Sequence, residues 1–352
     1  MKRYRCTVAY DGAAYCGWQS QTKGNSIQEQ IESALLQLTE QKINILAAGR
    51  TDAGVNAKGQ VFHFDTDKEM EPRKWMGALN GCLPKDIRIM DVQDAGFLFH
   101  ARFCVRAKQY DYRINLGPYD VFNRDYVYQC PFPANVEKMK DASQVFIGTH
   151  DFTSFNSTPL SKEPNQVRTI YSIEFHMEES VLTISYYGRG FLRYMVRMMT
   201  AALLEAGRDR LSKEEIQKIL DSADKKVPHH NARPEGLTLE RVDYFKMLAQ
   251  TDHMVIREFL PEDQMPDNMD QTLLEANIRN GIYPQVYAMA GRHNKVIYGW
   301  YTETENHAGH LLLLNSEICE DVELLRQQLQ ERSVSLGGCG CTISRVQPVI
   351  PD

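Results

Sequence analysis

Residues 49–57 read Gly49-Arg50-Thr51-Asp52-Ala53-Gly54-Val55-Asn56-Ala57. A strand-like run, Lys42–Ala48, leads into this stretch, and a second, Gln60–Thr66, leaves it. Gly49 and Gly54 supply backbone freedom for a tight connection. A short loop between two strands holds its one carboxylate, Asp52, at the edge of a sheet, where functional side chains concentrate. Arg50 supplies positive charge two residues away. A carboxylate paired with a cation stays ionised and can act as a nucleophile. Thr-Asp-Ala-Gly alone is also ordinary turn chemistry, so the reading depends on the rest of the chain.

Outward from the loop, helical and strand periodicities alternate. Arg3–Tyr10 reads as a strand. Ser26–Thr39 reads as a helix with Ser26 as N-cap and Glu29 at the capping-box position. Pro72 opens a helix through Cys82. Ile87–Val92 and Tyr110–Leu116 are strand-like, Asn135–Phe146 is helical, and Arg168–Met177 and Val181–Tyr187 are neighbouring strands. Phe191–Ala206 reads as a long helix ending at Gly207 as its C′ residue, and Ser212 caps another through Ala223. The expected fold class is α/β (α+β): two α/β halves with a mixed, largely antiparallel sheet, covering residues 1–105 and 106–248. A candidate boundary lies at Lys246–Asp252. A small α/β domain is expected over 252–352, with strands at His253–Glu258, Gln285–Ala290, Val296–Thr302, His310–Leu314 and Thr342–Val346, and helices at Asp267–Asn280 and Glu317–Arg332.

At 352 residues, with 43% hydrophobic and 24% charged side chains, the chain has the balance of a globular protein and room for more than one domain. No apolar run has membrane-spanning length, and the opening MKRYRCTVAYDG has no signal-peptide core, so a cytoplasmic location is expected. The eight cysteines are scattered, which favours reduced thiols. Cys339-Gly-Cys341 with His307 and His310 is a weak metal signal, and no metal is expected. The net charge of −6 conceals an asymmetry: residues 251–352 carry 7 basic and 15 acidic side chains, leaving 33 basic and 31 acidic in the rest. Any surface for nucleic acid must lie on the N-terminal body and arise from local clustering.

Three further constellations carry chemistry. In Lys108-Gln109-Tyr110-Asp111-Tyr112-Arg113-Ile114, Tyr110, Tyr112 and Ile114 share one strand face, and Asp111 and Arg113 the other. In Tyr187-Gly188-Arg189-Gly190-Phe191-Leu192-Arg193-Tyr194-Met195-Val196-Arg197 the arginines recur every four residues. Arg193 and Arg197 are expected on one helical face, with Arg189 continuing it, opposite Leu192, Met195, Met199 and Leu203. Pro234-Glu235-Gly236-Leu237-Thr238-Leu239 is an apolar strand entry.

Taken together with Tyr10-Asp11-Gly12, Gly17-Trp18-Gln19, Gln28, Asn80, Leu83-Pro84, Asp86-Ile87 and Gly148-Thr149-His150-Asp151-Phe152 with Ser154-Phe155, these segments make residues 3–246 resemble the tRNA pseudouridine synthase A family. That family usually has His where this chain has Asn56. The resemblance implies an isomerase that converts uridine to pseudouridine at tRNA positions 38–40 and works as a homodimer without a cofactor. It assigns Asp52 as the catalytic carboxylate, Arg197 as its partner, Tyr110 as the ring under the base, Arg50 as support for the flipped nucleotide and Leu237 as a wall of the uracil site. Arg102, Arg106, Lys108, Arg189 and Arg193 are candidate tRNA contacts. Two alternatives stay open: an RNA-binding module that has lost turnover, and the same reaction on another RNA. Met254–Arg257 with Pro261-Glu262-Asp263 resembles the opening of acetyl-CoA-dependent N-acetyltransferases. The Gly-rich loop before a helix that those enzymes use is missing, so the C-terminal region is read as a non-catalytic accessory domain.

Overall fold

The computed structural model describes residues 2–21, 24–95, 99–102, 104–227 and 230–244, together with the backbone of five later strands. The chain divides into two units at Asp243/Tyr244.

The first unit contains β1 (Lys2–Tyr10), α1 (Ile27–Thr39), β2 (Leu46–Ala47), β3 (Asn56–Thr66), α2 (Pro72–Cys82), β4 (Ile87–Ala95), β5 (Val105–Asn115) and β6 (Tyr128–Gln129). It continues through α3 (Val136–Ser143), β7 (Gly148–Asp151), β8 (Val167–Glu178), β9 (Val181–Gly188), α4 (Met195–Gly207), α5 (Lys213–Ser222) and β10 (Leu237–Tyr244). One ten-stranded sheet runs in the order β4-β1-β3-β10-β5-β9-β8-β7, with β2 on β3 and β6 on β5. The pairing is mostly antiparallel, but β10 joins β3 in parallel through Thr238↔Asn56 and Leu239↔Ala57. This is the mixed sheet expected for the fold. One strand from late in the chain lies between the strand that leaves the Asp52 loop and the strand that carries Tyr110.

Local chemistry accounts for several elements. Ser26 Oγ accepts from Glu29 N, and Glu29 returns a bond to Ser26 N, which satisfies two orphan donors of α1. Ser212 and Glu215 do the same for α5. Pro72 sits in the first turn of α2. Asn80 binds both N and O of Ile89 and so ties α2 to β4. Tyr4, Phe62, Phe64 and Trp75 are fully buried and stack into an aromatic core beneath β1 and β3.

Three expectations are corrected. Of Lys42–Ala48, only Leu46–Ala47 is strand. The amide of Ile45 donates to the Glu32 carboxylate of α1 at 3.1 Å, so a side chain takes the place of a ladder partner. The expected helix from Phe191 starts at Met195, because Tyr194 is left-handed at φ 62°. Ser157 N donates to Arg193 O, and Arg193 N to Thr158 Oγ1, which holds that segment as loop. Arg193 and Arg197 therefore do not share a helical face. Gly207 lies inside α4 and is not a left-handed C′ residue; Asp209 takes that conformation at φ 59°. Gly207 serves close packing: a Cβ there would lie 2.8 Å from Met139 Cγ of α3.

The second unit contains β11 (Met247–Gln250), β12 (Met254–Glu258), β13 (Ile297–Glu303), β14 (His310–Leu314) and β15 (Thr342–Val349) in the order β11-β12-β14-β13-β15. The helices expected at 267–280 and 317–332, the strand at 285–290, and His307, Cys339 and Cys341 lie outside the described residues. Among the described residues Cys6, Cys16, Cys82, Cys104 and Cys130 are free, no helix is long and apolar enough to cross a membrane, and no metal-ligating cluster occurs.

The loop before β3 is fixed by close backbone approach. A Cβ on Gly12 would lie 2.2 Å from Val55 O, and one on Gly17, at φ 105°, would lie 2.7 Å from Thr51 O. Gly12→Ala must therefore push the Tyr10–Trp18 segment off the Asp52 loop. We expect a loss of about 1–3 kcal/mol, read in calorimetry as a drop of several degrees in the Tm of the first unit. An unchanged Tm would show that the two loops separate freely.

Candidate active site

Asp52 sits on the turn between β2 and β3, with side chains and amides gripping the turn from several sides. Tyr10 Oη and Thr51 Oγ1 share a 2.8 Å hydrogen bond, Trp18 N donates to Thr51 O, and Val55 N closes the turn on Asp52 O. Gln60 Nε2 donates to Gly49 O at 3.0 Å. Asn56 Oδ1 accepts from Gly12 N at 2.8 Å, so Asn at this position couples the opening loop to the turn; its buried Nδ2 has no protein partner.

Arg197, in the first turns of α4, reaches Asp52. Its Nη1 lies 3.5 Å from Asp52 Oδ2, while its Nε donates to Ala232 O at 2.7 Å. The side chains are 12% and 21% exposed, so the pair is largely shielded from solvent. Burial is the larger influence on Asp52 and raises its pKa, with the charges of Arg197 and then Arg193 opposing it. Desolvation of a carboxylate outweighs one long ion pair.

Tyr110 is buried on β5, edge-on to Phe191 at 5.2 Å. Burial chiefly, then Tyr10 and Asp52, push its hydroxyl well upward, so it stays protonated at neutral pH and is available as a donor. Tyr112, two residues on, is core, its Oη donating to Arg233 O at 2.7 Å. Leu237 is buried at the start of β10, one residue before the Thr238↔Asn56 pair. The preceding turn packs closely: Pro234 Cγ lies 3.0 Å from where a Cβ on Gly54 would be, and Tyr112 lies 2.9 Å from where one on Gly236 would be.

Positive charge surrounds this centre. Arg50 is exposed; burial of part of its side chain, then Arg102 and Arg193, lower its pKa. Arg168 is lowered by burial and by Arg189 and Arg102, with Glu163 opposing. Arg106 and Arg189 act on Tyr171, and Arg106 also on Tyr187, which places these two toward β8 and β9. Arg197 and Arg193 thus act on Asp52, Asp52 on Tyr110, and Arg102 and Arg193 on Arg50; Leu237 follows a turn packed on Gly54, and Arg106 and Arg189 lie toward β8 and β9. Lys108 is half-buried, and its ammonium donates to Ala48 O at 2.9 Å.

Tyr194 escapes a reading of periodicity. Left-handed and half-buried, it carries the Arg193 and Arg197 guanidiniums over its ring at 4.8 and 5.0 Å. A cation over an aromatic face is held in place electrostatically. The Arg-Tyr-x-x-Arg spacing in residues 193–197 was the available signal.

The tRNA pseudouridine synthase family matches residues 7–104 and 142–245. The chain belongs to this family. Relatives named tRNA pseudouridine synthase A 1 from Bacillus cereus and tRNA pseudouridine synthase A from a Geobacillus species are 43% and 42% identical. The alignments span 69% of this chain and 99% and 98% of the relatives. A tRNA pseudouridine synthase A of Listeria welshimeri is 42% identical over 248 residues, the whole of that protein and 69% of this one. Membership makes the chain an isomerase, and the family match ends at residue 245, close to the division between the two units.

Proposed function

We propose that the chain converts uridine to pseudouridine at positions 38–40 of tRNA, with Asp52 as the catalytic carboxylate. The observation that carries this reading is the shielded Asp52–Arg197 pair at the centre of an arginine field, with a buried tyrosine beside it. The relatives' name, tRNA pseudouridine synthase A, supports tRNA as the substrate.

The reaction breaks the bond from ribose C1′ to the uracil nitrogen and forms one from C1′ to the base carbon C5. C5 loses a proton and the freed nitrogen gains one, with no net redox change. Asp52 starts it by attack on the nucleoside or by removing a sugar proton. Tyr110 supports the base, and Leu237 closes the apolar side. Arg50 fills or braces the space of the flipped nucleotide. Flipping costs a few kcal/mol and is cheapest in loops and at stem ends, which suits positions 38–40. Arg102, Arg106, Arg189 and Arg193 hold phosphates, which orient RNA without reading its sequence.

The test uses purified full-length protein and anticodon stem-loop transcripts with a single uridine at 38, 39 or 40, or at none of them, followed by chemical mapping of pseudouridine. Product in the first three and none in the fourth is expected. Product confined to a uridine elsewhere in the tRNA would overturn the positional assignment.

A further inference from the structure

Lys108 was a candidate for a phosphate contact, and its position points to a different task. It lies on β5, two residues from Tyr110 and therefore on the same strand face. Its side chain is half-buried and crosses to the entry of the Asp52 turn, where Nζ donates to Ala48 O at 2.9 Å. The ammonium occupies the place that a side chain on the next residue would take: a Cβ on Gly49 would lie 2.5 Å from Nζ. From β3, Gln60 Nε2 holds the adjacent carbonyl, Gly49 O, at 3.0 Å. Two side-chain donors on two strands thus fix the two successive carbonyls that precede Arg50 and Asp52.

We propose that Lys108 is a positioning residue: it ties the entry of the Asp52 turn to β5, so that Asp52 and Arg50 keep a set distance from Tyr110, and it does not bind tRNA phosphate. This inference rests on the proposed roles of Asp52 and Tyr110.

The surroundings agree. Phosphate-binding lysines work as exposed, hydrated point charges on flexible stems. Here the charges that act on Lys108 are those of Arg102 and Arg168, both of like sign; with burial as the larger cause, they push its pKa down to about 8. The ammonium is already committed to a carbonyl oxygen, which needs only an N–H donor. A side chain at position 49 would compete with the ammonium for its space, and the flexible lysine end would give way.

The experiment compares the native chain with Lys108→Met, Gly49→Ala and the double variant. It measures the single-turnover rate at saturating tRNA, the Kd for tRNA and the dependence of Kd on salt. A misplacement of the reacting groups by about 1 Å costs on the order of 10–100-fold in rate. Lys108→Met is expected to lose that much rate, with Kd within about twofold and the salt slope unchanged. Gly49→Ala, by expelling the ammonium, should reproduce the rate loss, and the double variant should be no worse than the single ones, as for two changes that break one contact. Weaker binding with a salt slope reduced by about one, at an intact saturating rate, would show a phosphate contact and overturn the proposal. So would additive losses, or no loss at all. If Lys108→Met does not fold, Gly49→Ala alone carries the test. Failure of the native chain to form pseudouridine in tRNA would instead refute the functional reading, a result distinct from any of these.

Discussion

Asp52→Asn is expected to abolish pseudouridine formation, with a loss of at least about 10⁴-fold, the order seen when an enzyme loses a reacting group. The turn that carries Asp52 does not depend on the carboxylate. Thr51 is held by Tyr10 and Trp18, Gly49 O by Gln60, and Asn56 by Gly12. The isosteric amide keeps that shape and removes the charge. Kd for tRNA should therefore stay within about threefold, since affinity for RNA comes mainly from phosphate contacts. Single-turnover assays with Asp52→Ala as a second variant guard against slow conversion of Asn back to Asp. A variant that keeps a few per cent of the native rate would remove Asp52 from the chemistry and leave the arginine field as a binding surface.

Arg197→Met should have the next largest effect, with a rate loss of about 10²–10³-fold and an acid limb displaced to higher pH. Two full charges about 4 Å apart near a protein surface interact by about 4 kcal/mol. The residual exposure of both groups reduces this, so about 1–2 kcal/mol is a reasonable electrostatic share, and the remainder of the rate loss comes from Asp52 losing the Nη1 contact that orients it. Burial already raises Asp52, and Arg197 is the larger of the two charges that oppose it. Removing Arg197 lets the pKa climb further, and the reactive carboxylate is then lost at a higher pH as the solution is acidified. Arg197→Lys should recover only part of the rate. Arginine binds Asp52 through Nη1 and Ala232 O through Nε at once, and an ammonium cannot span both in that geometry. A kcat–pH profile whose acid limb does not move would make Arg197 a structural residue of the α4 start and not the electrostatic partner of Asp52.

The elements that were legible are those whose causes lie within a few residues of chain. The capping boxes at Ser26/Glu29 and Ser212/Glu215, Pro72 at the start of α2 and the alternation of β8 and β9 follow from local hydrogen bonding and period. The misreadings share a cause that is not local. Lys42–Ala48 alternates like a strand, yet Glu32 of α1 takes the amide of Ile45. Phe191–Tyr194 continues a helical spacing, yet Ser157 and Thr158 hold Arg193 in a loop. Gly207 follows the pattern of a helix stop, yet α3 packed against it is what calls for glycine.

By itself, the sequence determined the family, the mixed α/β class and the short set of side chains able to do chemistry, because motif and periodicity are properties of neighbouring residues. The tertiary structure decided how those side chains act. Asp52 and Arg197 meet across 145 positions, because β10 enters between β3 and β5 and α4 follows β9. Lys108 binds a carbonyl where its position had suggested a phosphate. Asp52 is raised because burial removes water that a pairing argument leaves in place. Periodicity shows which face of an element is covered, and desolvation and contact geometry depend on what covers it.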